Sequence, residues 1–166
     1  VTFDFENVPV AALKRIADQV RVSPGPRALE VSQDRLVEKR HFRQLGIGTA
    51  PFAEADSLNS LLAAVAQVGT PALVKTRRFG YDGKGQFRLR TPEDARAAWK
   101  ALAGQALIVE GMVAFERELS VIGARAENGE IRLYPITQNH HRDGILASSF
   151  APAALESSEL LAEAQS

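Results

Sequence analysis

The segment "KTRRFGYDGKGQ", Lys75 to Gln86, sets Lys75, Arg77, Arg78 and Lys84 among Gly80, Gly83 and Gly85, directly after the apolar "PALV". Peptide N–H groups converge on phosphate oxygens only where side chains leave room, and glycine both clears the approach and permits positive φ. Ammonium groups at Lys75 and Lys84 add charge-assisted hydrogen bonds, each worth about 1.5–3 kcal/mol. The combination suits a polyphosphate. A second reading stands beside it: "DG" is a common turn dipeptide, so the stretch also fits a hairpin turn with solvated basic flanks. Neither the Walker pattern nor the dinucleotide fingerprint is present, because those enter a helix and this loop joins two strands.

Other groups carry weaker signals. Glu110, in "VEGMV", and Glu118 are carboxylates that also fit solvated strand faces, as most carboxylates do. Arg35 fits a helix salt bridge with Glu38. His140 and His141 are adjacent, which puts them on opposite faces of a strand and argues against a zinc pair, so no metal site is expected. Arg77 and Arg78 fit solvated loop charges or a phosphate contact, and Trp99 and Phe42 fit core anchors.

The elements that must hold these groups are read from periodicity. Val1 to Phe5 alternates like a strand, Val10 to Val20 repeats at helical spacing, and "VRVSPGPRAL" reads as a short strand and turn. A helix is expected from about Gln33 to Leu45, stopped by Gly46, and another over "LNSLLAAVAQV", capped by Ser57 and stopped by Gly69. "PALVK" and "QFRLR" are strands around the glycine loop, and "TPED" opens a helix to about Ala103. "ALIVE" is a strand, and two more flank an Asn128-Gly129 turn. The chain then extends to about Ala151, and "SSELLAEAQ" starts a helix.

Composition narrows the partners. Twenty basic residues balance twenty acidic ones in 166, so no global field draws the chain to nucleic acid or an anionic membrane. Hydrophobic residues make up 45%, enough for a core, and the absence of cysteine fits a reducing, cytoplasmic setting. No apolar run approaches the roughly 18 residues of a membrane span. Met112 is the one methionine and the chain opens on valine, so an excerpt of a longer protein is expected.

A lysine-bearing strand, a glycine loop, a return strand, a helix, "VEGMV" and then Glu118 resemble the centre of an ATP-grasp enzyme. "FENVP", "QDRLVEKRHFRQLGI", "TAPF", "VKTRRFGYDGKGQ", "FERELSVI" and "YPITQNHHRDGIL", in this order, are similar to the 5-(carboxyamino)imidazole ribonucleotide synthase family from Phe3 to about Pro152. The resemblance implies an α/β (α+β) fragment. Residues 1–28 would end a Rossmann-like domain, and 29–70 would hold linking helices and the start of the ATP-grasp domain. Residues 71–152 would form its small subdomain, and 153–166 would begin the remainder.

It also implies ATP-dependent carboxylation of aminoimidazole ribonucleotide by bicarbonate, through carboxyphosphate. Arg35 and Lys75 match nucleotide contacts; Gly80, Tyr81, Asp82, Gly83, Lys84, Gly85 and Gln86 match the phosphate-covering loop, with Tyr81 and Lys84 also facing the carboxylation centre. Glu110, Gly111, Met112 and Val113 match the adenine hinge, Glu118 the ribose contact, and His141 a position near phosphate. Phe79 departs from the small residue expected before "GYDG". Mg2+ ligands are expected beyond Ser166, so these residues alone are expected to be inactive; a homodimer is a further implication. The alternatives are another ATP-grasp ligase, such as a formate-using transformylase or a biotin carboxylase, a noncatalytic nucleotide-binding module, and a nucleic-acid binder using Arg77, Arg78 and Lys84.

Overall fold

The computed structural model describes residues 1–80, 84–102, 105–142 and 144–154. Packing separates two units, Val1–Val113 and Ala114–Ser166. The division falls inside the 71–152 segment that the sequence treats as one subdomain.

The first unit opens with three helices, α1 (Val10–Ala17), α2 (Pro26–Ser32) and α3 (Arg35–Gln44). Strand β1 (Phe52–Ala55), helix α4 (Leu58–Val68), strands β2 (Ala72–Thr76) and β3 (Gln86–Leu89), helix α5 (Ala95–Ala101) and strand β4 (Leu107–Gly111) follow. The four strands form an antiparallel sheet in the order β1-β4-β2-β3. Period-2 alternation gives the sheet two distinct faces. One presents Ala55, Ala72, Val74, Leu89, Leu107 and Val109 to α4 and α5, closing the main core. The other joins Phe52 and Ile108 to Leu36 of α3.

Local chemistry accounts for the helix ends. Ser57 and Ser60 form a reciprocal capping box at the start of α4, and Gly69 ends it. Thr91 and Asp94 do the same for the short 3-10 turn Pro92–Asp94 ahead of α5. Asp34 caps α3 through Oδ1, which accepts from the amides of Leu36 and Val37 at 3.0 and 3.3 Å.

Two expectations need correction. Val1 to Phe5 forms no strand: the segment is mostly exposed, and its long-range bonds to backbone, Val1 N to Arg21 O and Ser23 N to Val1 O, both involve Val1, short of the ladder a strand requires. The short strand expected in "VRVSPGPRAL" is absent too: residues 20–22 belong to no strand, and Pro26 is already the first residue of α2. The helix expected from about Gln33 to Leu45 is present as α3, opened by the Asp34 cap, with Leu45 exposed at its end.

The second unit holds β5 (Glu118–Ser120), β6 (Gly123–Arg125), β7 (Ile131–Leu133), β8 (Thr137–Arg142) and β9 (Ile145–Phe150). Strands β5, β8 and β9 make one antiparallel sheet, and β6 and β7 make a hairpin around the Asn128-Gly129 turn. The helix expected over "SSELLAEAQ" and the 153–166 segment fall outside the described residues from Leu155 onward. Among the described residues no helix is long and apolar enough to cross a membrane.

Candidate nucleotide-binding site

On the α3 face of the first sheet, the register sets Leu73 opposite Glu110 and Lys75 opposite Ile108. Lys75 and Glu110 therefore share a face, and Lys75 Nζ donates to Glu110 Oε2 at 3.0 Å. The same oxygen stands 3.6 Å from Lys39 Nζ of α3. The Glu110 side chain keeps only 9% of its exposure, which removes the solvated-face reading for that residue. A buried carboxylate demands a counter-charge, and this one has two. Glu38, one residue before Lys39, has its carboxyl pushed up by burial, opposed by the charges of Lys39 and Arg35.

The neck of the glycine loop is built around Thr76, which is buried at the end of β2. Its amide donates to Gly85 O at 2.8 Å, continuing the β2–β3 ladder by one bond. A Cβ on Gly80 would lie 3.1 Å from both Thr76 Oγ1 and Lys84 O, and one on Gly85 would lie 2.6 Å from Thr76 Oγ1. Gly85 also has φ 70°. Glycine is needed here for space as well as for backbone conformation.

Helix α3 clamps this neck. Arg35 donates from Nη1 to Thr76 O at 3.2 Å and from Nη2 to Gly80 O at 3.0 Å, so its guanidinium organises loop carbonyls. Arg77 grips Asp34 through Nε and Nη2, the shorter contact being 2.7 Å. Burial alone would raise the Asp34 carboxyl, but the Arg77 hydrogen bonds and charge, with the Val37 and Leu36 amides, hold it below the ordinary 3.8. Phe79 lies exposed with φ 63°, a conformation that a residue without Cβ adopts freely, in keeping with the small residue expected there. Tyr81, Asp82 and Gly83 lie outside the described residues. Lys84 is exposed, and Gln86 starts β3 opposite Lys75.

The expected adenine hinge starts in the last two residues of β4. Gly111 N donates to Pro51 O at 2.9 Å and Met112 N to Pro71 O at 3.2 Å. Those two amides are committed to the fold. Met112 and Val113 are exposed and supply apolar surface.

In the second unit, Glu118 Oε1 accepts from Asn139 Nδ2 at 3.2 Å and lies 3.5 Å from His141 Nε2. Asn139 Nδ2 also donates to Ser120 Oγ at 2.7 Å, and its Oδ1 accepts from Ser149 Oγ at 2.8 Å. The sheet thus brings Glu118 and His141 together and orients the carboxylate through Asn139. A half-exposed carboxylate held this way can accept from vicinal hydroxyls.

Sequence reasoning missed Lys39, Asp34 and Asn139. Lys39 stands four residues after Arg35 on one helical face, and Asn139 two residues before His141 on one strand; those spacings were the available signals. Among the described residues no group of three His, Cys, Asp or Glu side chains could hold a metal ion, and no step is assigned to Mg2+.

The first sheet thus sets a lysine and a glutamate on neighbouring strands beside a neck whose glycines Gly80 and Gly85 are required by packing. Residues 40–166 match the ATP-grasp domain and residues 1–33 the ribonucleotide synthetase preATP-grasp domain. The chain belongs to the ATP-grasp family. It is 45% identical over 157 residues to the N5-carboxyaminoimidazole ribonucleotide synthase of Brucella melitensis, covering 93% of this chain and 43% of that protein. The crystal structure of the synthetase from Thermus thermophilus superposes with TM-score 0.88 at 45% identity, over 99% of this chain and 44% of that one. The Aspergillus clavatus synthase, crystallised with ADP and 5-aminoimidazole ribonucleotide, matches with TM-score 0.87 at 28% identity, over 99% and 43%. The chain therefore spans less than half the length of the relatives it matches.

Proposed function

We propose that the protein carrying these residues is an ATP-dependent carboxylase that converts 5-aminoimidazole ribonucleotide, bicarbonate and ATP to 5-(carboxyamino)imidazole ribonucleotide, ADP and phosphate. The observation that supports it best is the Lys75–Glu110 pair on adjacent strands beside a glycine neck clamped by Arg35, in a chain 45% identical to such a synthase. The γ-phosphoryl group passes from ATP to a bicarbonate oxygen, giving carboxyphosphate and ADP. The acceptor amine then forms the new C–N bond, directly or through released carbon dioxide, and phosphate leaves.

Each group has a physical task. Lys75 and Lys84 neutralise charge on phosphoryl oxygens, and Gly80 and Gly85 let the backbone approach them. Arg35 satisfies the Gly80 carbonyl through its guanidinium. Glu110 through Val113 take adenine, Glu118 takes the ribose hydroxyls, and His141 supports Glu118. Tyr81 and Lys84 are assigned to bicarbonate and acceptor. Mg2+, a homodimer and a cytoplasmic location belong to the same proposal.

The deciding assay is phosphate release from ATP by the intact protein, with each substrate left out in turn. Release should require both bicarbonate and aminoimidazole ribonucleotide; release dependent on formate or biotin would transfer the protein to another ATP-grasp activity. Lys75→Ala should weaken ATP binding at least tenfold, while Arg96→Ala on α5 should leave it within about twofold, as loss of one charge-assisted bond implies. Equal affinities in a calorimetric titration would remove the phosphate role of Lys75.

A further inference from the structure

The Glu110 carboxylate is overprovided with cations: Lys75 Nζ at 3.0 Å and Lys39 Nζ at 3.6 Å address the same oxygen. Side-chain exposures are 18% for Lys39, 24% for Lys75 and 9% for Glu110, so this set of two positive charges and one negative charge is largely withdrawn from water. Lys39 has a second favourable neighbour, the Phe52 ring, whose centroid lies 5.9 Å from its Nζ. Lys75 has no comparable aromatic partner among the described contacts and stands one residue before the loop neck.

We infer that Lys39 is a positioning residue that holds the charge of Glu110 when Lys75 turns from it to an anionic ligand. This inference rests on the nucleotide reading above. A buried carboxylate stripped of its only counter-ion is strongly disfavoured, so a lone Lys75–Glu110 pair would resist giving its ammonium to a phosphate. With Lys39 in place the carboxylate stays paired while Lys75 reaches out. Lys39 itself need not touch the ligand. Its contribution passes through Glu110, which makes the inference separable from a direct phosphate contact.

The test is a double-substitution cycle on ATP affinity in the intact protein, read by calorimetry, with thermal melting of each nucleotide-free variant alongside. Lys39→Met should weaken ATP binding on the order of tenfold, a coupling typical of groups in one charge network. In a Glu110→Gln background, where no carboxylate needs pairing, the same Lys39→Met change should cost less than about twofold. Lys39→Arg should restore most of the affinity. An equal loss in both backgrounds would overturn the inference by making Lys39 a direct contact or a packing residue, and so would an unaltered affinity for Lys39→Met. If Lys39→Met does not fold, Lys39→Gln carries the same comparison. Failure of the unsubstituted protein to bind ATP would overturn the nucleotide reading and this inference with it, whereas ATP binding without the coupling would overturn the inference alone.

Discussion

The β2–β3 hairpin and the β6–β7 hairpin both turn through a glycine of positive φ, Gly85 at 70° and Gly129 at 88°. A Cβ at Gly129 would meet nothing within 4 Å, and one at Gly85 would meet Thr76 Oγ1 at 2.6 Å. The Asn128-Gly129 turn is held by local bonds, Ala126 N to Glu130 O at 2.8 Å and Glu130 N to Asn128 Oδ1 at 3.0 Å. The Gly85 neck is held from outside by Arg35 and by the Arg77–Asp34 pair on α3. Reversing a chain needs only the backbone freedom of glycine. A neck compressed around a buried threonine and gripped by a helix costs more than reversal requires, which is what a loop that must present its backbone to a ligand would need.

That contrast can be broken by substitution. Gly85→Ala should destabilise the first unit by about 3 kcal/mol, summing a left-handed alanine and an overpacked contact. Urea unfolding followed by fluorescence of Trp99, which packs on the main core, reads this directly. Asp34→Ala should cost about 2 kcal/mol, since it removes the α3 cap and leaves Arg77 without its carboxylate. Gly129→Ala should cost about 1 kcal/mol, from φ alone, measured by circular dichroism. A loss at Gly129 equal to that at Gly85 would erase the distinction between the hairpins.

The pH dependence sharpens the same point. Asp34 is held below its ordinary value of 3.8, so its stabilising contribution is complete above that value and fades as pH falls through the lower folded-state value. Unfolding free energy should therefore decline with acidification below about pH 4, and the slope should shrink in Asp34→Asn, which keeps the cap and discards the charge. An unchanged slope in that variant would detach the clamp from the Arg77–Asp34 pair.

Much of the architecture was readable wherever a single residue dictates backbone geometry. Ser57 and Gly69 bounded α4, and Asn128-Gly129 placed a hairpin, because caps and left-handed turns act within a few residues. The strand at Phe52–Ala55 was not read, since "FAEA" has no β-branched residue and owes its form to pairing with β4, more than 50 residues away. The end of "VRVSPGPRAL" was read as turn although Pro26 opens α2, because proline and glycine punctuate turns and helix starts alike. Around Glu110, Lys75 was singled out by its motif and Glu110 by the family resemblance, while Lys39 was not singled out at all. Its partner is 71 positions distant in sequence, and a lysine beside an arginine on a helix reads as solvent-facing until the sheet register is known.

Strand β4 has a hydrogen-bonded neighbour along each edge, and Leu107 through Glu110 are all buried. Amide protons there are released to deuterated solvent only when the whole first unit opens, so their exchange rates report its global opening free energy. The peptide that carries the candidate adenine hinge is thus also an internal gauge, one that isotope labelling can read with or without nucleotide present.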